Sequence, residues 1–479
     1  MKWAISPGMT QTQRHADAPA IGRWAETGAT LSLAGPMIMT MVAVIAMETV
    51  DTLMIGRLGE EALASAALAL NAWFIFLLFG IGVLGAVSSL ASQSVAIGDD
   101  RGVRRSARQG LWAGLMMGTP FAIILGFAEP ILMALGQEPA IAAGAQDYLN
   151  WMGAALVVVF LNVPLRLTMA SYGVTIPAML IVWSGVPLNA LLNWVFMFGG
   201  LGGPEMGLEG AGLSTFLVDV YIFLCAVVYV LRAPLFARLN LFANFWRPDW
   251  QRFRQLMAIG LPAGGTSVLE HGLFAATAIM MGWVGVTQLA AHQVAIQIMS
   301  ITFMLPFGLS QAATIRVGLA AGARDLAAVR LRGRTIYYLS AVSMVGAAIL
   351  FWTSGEFLVG LFLAADDPNR AEIVEYGTMF LAIAALFQLV DGTQITGGGI
   401  LRGLNDTMIP MLMAIVGYWV LGVPAAYVMA FEFGLGGAGI WYGVALGLTA
   451  CAIGAVWRFH YVTGGPDRAF RRLAKTDAG

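Results

Sequence analysis

A train of long apolar runs, broken only by short charged or Gly/Pro-rich stretches, most constrains what this chain can fold into. The runs fall at about 30–56, 64–97, 109–128, 146–164, 176–199, 211–231, 253–282, 289–315, 335–354, 375–400, 409–430 and 438–458. A bilayer is crossed by about 20 mostly apolar residues. In hydrocarbon each segment must satisfy its own backbone hydrogen bonds, which selects helices. A β-barrel would need alternating segments of about ten residues, and these runs are continuous. Only 11% of the residues are charged, against about 25% in soluble domains. Lipid is therefore the expected solvent, and the expected fold is an all-α polytopic membrane protein with twelve transmembrane helices.

Basic residues set the expected orientation. With the N-terminus placed in the cytoplasm, all but Arg57 and Arg370 of the 26 Lys and Arg residues fall on that side. Arg166, Arg316 and Arg402 are counted there, in loops or at span ends. The opposite face carries Glu129, Glu138, Glu205, Glu209, Glu356, Asp366 and Asp367. Basic residues concentrate in cytoplasmic loops, so both termini are expected inside. Residues 1–29 have no long apolar core and read as a polar arm rather than a cleaved signal peptide.

The chain also resembles itself. Aligning Pro36 of LAGP with Pro262 of IGLP brings Gly59 onto Gly285, Leu63 onto Leu289 and Ala64 onto Ala290. At nearly the same offset, Gly210-Ala211-Gly212 answers Gly437-Ala438-Gly439, and Thr175-Ile176-Pro177 answers Thr407-Met408-Ile409-Pro410. A repeat of six spans starts both copies on the same side, so the copies are parallel. The expected organisation is an arm (1–29), an N-terminal six-helix lobe (30–231), a cytoplasmic linker (232–252), a C-terminal six-helix lobe (253–460) and a cytoplasmic tail (461–479). Two pseudo-symmetric lobes around a cleft favour a transporter over a receptor.

Enzymatic chemistry has no foothold in the sequence. HExxH, GxSxG and a soluble catalytic loop are missing, and Gly397-Gly398-Gly399 is followed by no Walker lysine. Cys225 and Cys451 lie inside apolar runs without a CxxC neighbour, so neither a disulfide nor a cofactor is expected. A net charge of −1 and the lack of a basic, aromatic-interleaved patch point away from nucleic acid.

Ionisable groups inside spans cost on the order of 3 kcal/mol each, so those that persist are functional candidates. Five acids lie inside apolar runs: Glu48, Asp51, Asp219, Glu270 and Asp391. No Lys or Arg is placed mid-span to neutralise them. Such a carboxyl binds either a proton or a cation, and competition between the two is the minimum physics of antiport. A neutral carboxyl hydrogen-bonded for structure is the alternative. Glu48 and Asp51 share a helix face, so at most one is expected to be charged. Asn189 and Asn193, four apart, either line a polar cavity or bind helices together. His292 and Gln293 are further cavity candidates, with a buried interface histidine as the plainer reading.

Several phrases are more specific than hydropathy: VDTLMIGRLG (50–59), PLNALLNWVFMFG (187–199), GLPAGGTSVLE (260–270), LAAHQVA (289–295), LPFGLSQAATIRVG (305–318), DGTQITGGGILRGLNDT (391–407) and YWVLGVP (418–424). Through them the chain resembles the multidrug and toxic compound extrusion (MATE) family, in its NorM-like branch, over about residues 30–460. The resemblance implies a bacterial inner-membrane exporter, expected here as a monomer, that exchanges cationic lipophilic compounds for H⁺ or Na⁺. It matches Asp51, Glu270 and Asp391 to the family's ion-coupling acids and Asn189 and Asn193 to its polar pair. Two positions depart from the pattern. Glu48 stands where relatives have a small or apolar residue. Phe387 stands one turn before Asp391, where some Na⁺-linked relatives have a tyrosine. A phenyl ring offers no oxygen to a hard cation, which favours H⁺, while Na⁺ at Glu270 and Asp391 stays open. A flippase of lipid-linked or phospholipid substrates is the rival within the wider superfamily. Anionic head groups would call for basic residues in the cleft, where this sequence carries acids.

Overall fold

The computed structural model describes residues 22–243, 245–247, 249–364 and 368–477. Eleven helices are long and apolar enough to cross a membrane, and a bent pair supplies a twelfth segment. In the N-terminal lobe these are α1 Arg23–Ile55, α2 Glu60–Ala96, α3 Asp100–Leu125, α4 Pro139–Ser171, α5 Ile176–Phe198 and α6 Gly207–Arg232. In the C-terminal lobe they are α7 Trp250–Val284, α8 Val286–Gly322, α9 Leu326–Gly360, α10 Arg370–Gly403, α11 Met408–Glu432 and α12 Gly436–Val462. A short helix, α13 Pro466–Asp477, follows. The bent pair is α3 with Ala128–Ala134, which meet at 57°. No strand occurs among the described residues.

The helices run past the apolar windows at their basic ends. The expected arm 1–29 is corrected accordingly, because α1 begins at Arg23. Glu26 lies inside it, 1% exposed and ion-paired with Arg316. A paired charge lets a helix continue where hydropathy alone would end it. Residues 1–21 of the arm, with Lys2 and Arg14, and the expected outer acids Asp366 and Asp367 lie outside the described residues.

The two lobes repeat one another. Neighbours α1/α5, α2/α4, α3/α4 and α4/α6 recur six helices later as α7/α11, α8/α10, α9/α10 and α10/α12. Local chemistry repeats too. Pro36 and Pro262 interrupt α1 and α7 at matching points, and in each the threonine one turn on donates to the proline carbonyl: Thr40 at 2.8 Å and Thr266 at 2.9 Å. Proline is tolerated in a membrane helix where such side chains re-satisfy the freed backbone groups. Helix α11 departs most from regularity, being π-helical over Ile415–Gly422 and Val428–Glu432 around Pro424.

The lobes meet along α1/α8 and α2/α7, from mid-membrane to the basic face. Small residues make the crossing possible, since without a hydrophobic driving force membrane helices associate by close packing. A Cβ on Gly82 would stand 2.6 Å from the Gly264 Cα, one on Gly260 2.4 Å from the Val83 carbonyl oxygen, and one on Gly308 2.2 Å from Ile38. Leu33 and Ala34 pack there against Leu309, Ala312 and Ile315. Gly82→Leu is therefore expected to lower stability by roughly 1–3 kcal/mol, the usual cost of overpacking. Gly28→Leu, which meets nothing within 4 Å, is its control. Thermal unfolding in detergent checks this, and equal midpoints for the two variants would refute the close crossing.

Candidate functional site

A cavity of about 250 Å³ runs through the N-terminal lobe, with walls from α1, α2, α4, α5 and α6. Most of its lining is apolar, including Met41, Met47, Leu70, Trp73 and Met152. Into this wall the fold sets three carboxyls, Glu48 and Asp51 from α1 and Asp219 from α6. Asp51 is 8% exposed. The Asn193 amide donates to its Oδ1 at 2.6 Å, and the Thr215 hydroxyl to its Oδ2 at 3.3 Å. Asn189 completes the group, 3.5 Å from the Asn193 amide, and also lines the cavity. Of the two roles open for Asn189 and Asn193 in the sequence, Asn189 lines the cavity, and Asn193 ties α5 to α1 through Asp51. Their four-residue spacing on α5 aims both at the same acid.

Among the described residues the acids find no basic partner, but the cavity holds a cation elsewhere. Arg166 lines its basic end. This corrects its placement among the loop residues. Helix α4 extends to Ser171, so Arg166 is a turn inside it, four residues from the cavity-lining Asn162. That i, i+4 spacing was the available signal.

In the C-terminal lobe Glu270 (α7) and Asp391 (α10) come within electrostatic reach of each other, and Gln394 within hydrogen-bonding reach of Glu270. Asp391 is 4% exposed, and its Oδ1 has no hydrogen-bond partner. The Gln394 Oε1 and the Tyr418 hydroxyl are buried and unpartnered as well. Tyr418 stands on the π-helical part of α11, near both acids and Cys451. Phe387 is packed away at 2% exposure against Trp441. Tyr418 and Gln394 were not singled out from the sequence; one lies in YWVLGVP and the other three residues past Asp391.

His292 and Gln293 are not brought to a cavity in this way. His292 is 2% exposed, its ring 5.5 Å from that of Trp441 in the C-lobe core. Gln293, the next residue, falls on the exposed face of α8. Among the described residues two acidic sites thus stand apart, one per lobe, and the N-terminal one opens into a largely apolar space of about 250 Å³.

Comparison with known proteins agrees with this architecture. The MatE family model matches residues 36–195 and again 262–428, once in each lobe. A "Probable multidrug resistance protein NorM" of Mesorhizobium japonicum is 41% identical over 431 residues, covering 89% of this chain and 92% of that one. A protein of the same description from Brucella suis biovar 1 is 41% identical over 445 residues, 91% and 94% of the two chains. The fold matches the crystal structure of the eukaryotic MATE transporter AtDTX14 with a TM-score of 0.84 at 19% identity, covering 95% of this chain and all of that one. With the doubled family match, the relatives and the two-lobed membrane fold in agreement, the chain belongs to the MatE family and is a multi-pass multidrug efflux transporter, not an enzyme.

Proposed function

We propose that this transporter expels cationic lipophilic compounds from the cell in exchange for protons, by alternating access, with Asp51, Glu270 and Asp391 as coupling acids. The observation that carries the reading is the N-lobe cavity, where Glu48, Asp51 and Asp219 stand in an apolar wall without a basic partner among the described residues. Such a wall accepts the body of an amphiphilic cation, and the carboxyls accept its charge. A proton arriving at the same carboxyls removes that attraction and releases it. The C-lobe acids bind the second exchanging charge. The basic face is cytoplasmic in this reading, with both termini there, and the membrane is a bacterial inner membrane. The contacts that join the lobes from mid-membrane to the basic face then make this the outward-open state. A monomer suffices, since each lobe carries its own acidic site. Acids rather than bases in the cavity disfavour the flippase of anionic lipids.

A second reading replaces the proton by Na⁺. The unpartnered oxygens of Asp391, Gln394 and Tyr418 favour it, because Tyr418 supplies from α11 the oxygen that Phe387 lacks. The test is efflux of a cationic dye in everted vesicles, driven by an imposed pH gradient with and without Na⁺ at fixed pH. Movement with the pH gradient alone is the expected result. Movement that needs Na⁺ and ignores the pH gradient would overturn the proton reading.

A further inference from the structure

We propose that the inner end of α12 and the helix α13 form a binding site for an anionic phospholipid, its headgroup at Arg468 and Arg471 and an acyl chain along α12. The site lies apart from the drug cavity and the coupling acids and does not depend on which ion drives transport. Ile453, Trp457 and Tyr461 recur every four residues on α12, and all three are exposed. That spacing makes them one stripe. Helix α12 packs on α10 and α11 of its own lobe, so the stripe faces lipid rather than the seam between the lobes. The Trp457 and Tyr461 rings stack 5.7 Å apart. Their place, in the last turns before the basic face, is that of an aromatic belt at a membrane interface.

Guanidiniums close the end of this stripe. Arg458 stands 5.4 Å from the centroid of the Tyr461 ring, and Arg468 4.8 Å from it. Arg458 is committed to Asp406 at 2.7 Å, whereas Arg468 and Arg471 are exposed. Helix α13 is held from its other side, where Ala469 is buried and Phe470 packs into the cluster of Phe459, Val462 and Leu326. That docking keeps Arg468 at the level of Tyr461 instead of on a loose tail. In the sequence Arg468, Arg471, Arg472 and Lys475 fall at i, i+3, i+4 and i+7, four positions on one helix face, with Asp467 and Asp477 near the two ends. A basic amphipathic helix at a membrane surface attracts anionic lipid, and a guanidinium meets a phosphate with two parallel hydrogen bonds. An acidic soluble partner would use the arginines but not the apolar stripe beside them, so a lipid is the occupant that fits both.

The experiment titrates phosphatidylglycerol or phosphatidylcholine into the purified full chain in uncharged detergent and counts bound lipids by native mass spectrometry. The wild-type chain is expected to retain phosphatidylglycerol at least about tenfold more tightly than phosphatidylcholine, the scale of charge-assisted contacts to a phosphate. Arg468→Gln/Arg471→Gln is expected to erase that preference without moving the weaker phosphatidylcholine binding, and Arg471→Gln alone to erase part of it. Arg101→Gln/Arg238→Gln, an equal loss of exposed charge elsewhere on the basic face, is expected to leave the preference intact. If this control erases it as well, overall charge and not this site holds the lipid, and the proposal is overturned. Glycerol phosphate, the anion without chains, is expected not to compete at the same concentration. Competition would reduce the site to an anion contact and overturn the lipid assignment. A wild-type chain that does not distinguish the two lipids would also overturn it, and is the result to expect if the basic helix serves a soluble acidic partner.

Discussion

Asp391→Asn is expected to reduce dye efflux in everted vesicles to the background of vesicles lacking the protein. The substitution changes almost no volume but removes the ability to gain and lose a proton or to neutralise a cation. Asp391 is 4% exposed and has no basic partner among the described residues. Glu270, within its electrostatic reach, stays in place but acts alone. Coupling needs the site to be charged in one state and neutralised in the other, and an amide is neutral in both. The fold should not suffer, because replacing a buried charge that lacks a salt bridge by a neutral isostere is often neutral or stabilising. An unchanged or raised melting temperature therefore separates lost coupling from misfolding. Dye binding in the N-lobe cavity should persist, since Asp391 lies in the other lobe. Efflux at the wild-type rate would refute a carboxyl-based mechanism in the C-lobe.

Much of this was legible in the sequence because membrane physics writes in long words. Twenty-residue apolar runs specify helices, and the Pro36/Pro262 alignment reappears as two matched proline–threonine turns. Glu48, Asp51 and Asp219 stand out because an acid in hydrocarbon is expensive. What was not legible is what distance in sequence hides. Asn193 and Thr215 meet Asp51 only because α5 and α6 pack beside α1. Tyr418 looks like any aromatic residue in an apolar run until π-helical turns place it near Glu270. Arg166 was misread for a physical reason. A hydropathy window closes at the first charge, and a long basic side chain near a helix end normally reaches for the interface. Only the cavity that α1, α4 and α6 line together shows what it faces. His292 follows the plainer of its two readings, a buried histidine packed against Trp441.

Glu26→Gln is expected to open the basic face. Glu26 belongs to the N-lobe, and its partners Arg316 and Arg332 belong to the C-lobe. The Arg316 Nη2 lies 2.5 Å from its Oε1, and the Arg332 Nε 3.8 Å from its Oε2. The carboxyl side chain is 1% exposed, the arginines 15% and 14%. Two further latches cross the same seam. Asn405 accepts from the Ser89 hydroxyl at 2.5 Å and donates to the Gln93 side-chain Oε1 at 3.1 Å. Arg105 of α3 grips Asp249 at the head of α7, and this ion pair holds the Asp249 carboxyl below the usual carboxylate range. That pair stays charged through mildly acidic pH and does not open the seam by itself. Glu26 and Asp249 each answer two arginines, but the Glu26 carboxyl is the more deeply buried, 1% against 14% exposed, so its loss leaves two charges facing each other with the least water to screen them. Breaking a buried ion pair costs about 3–5 kcal/mol, and the arginines' partial access to water argues for the lower end. Since about 1.4 kcal/mol is tenfold in a population, the balance between closed and open basic faces should move by about 100-fold. Spin labels on cysteines placed at Ile97 and Ala323, exposed ends of α2 and α8, would report this as loss of the short-distance population. Changing Arg316 to Gln in the same chain removes one stranded charge and should restore part of the closure. An unaltered distance distribution in Glu26→Gln would mean that close packing at Gly82, Gly264 and Gly308 holds the lobes together alone, with the charges only decorating the seam.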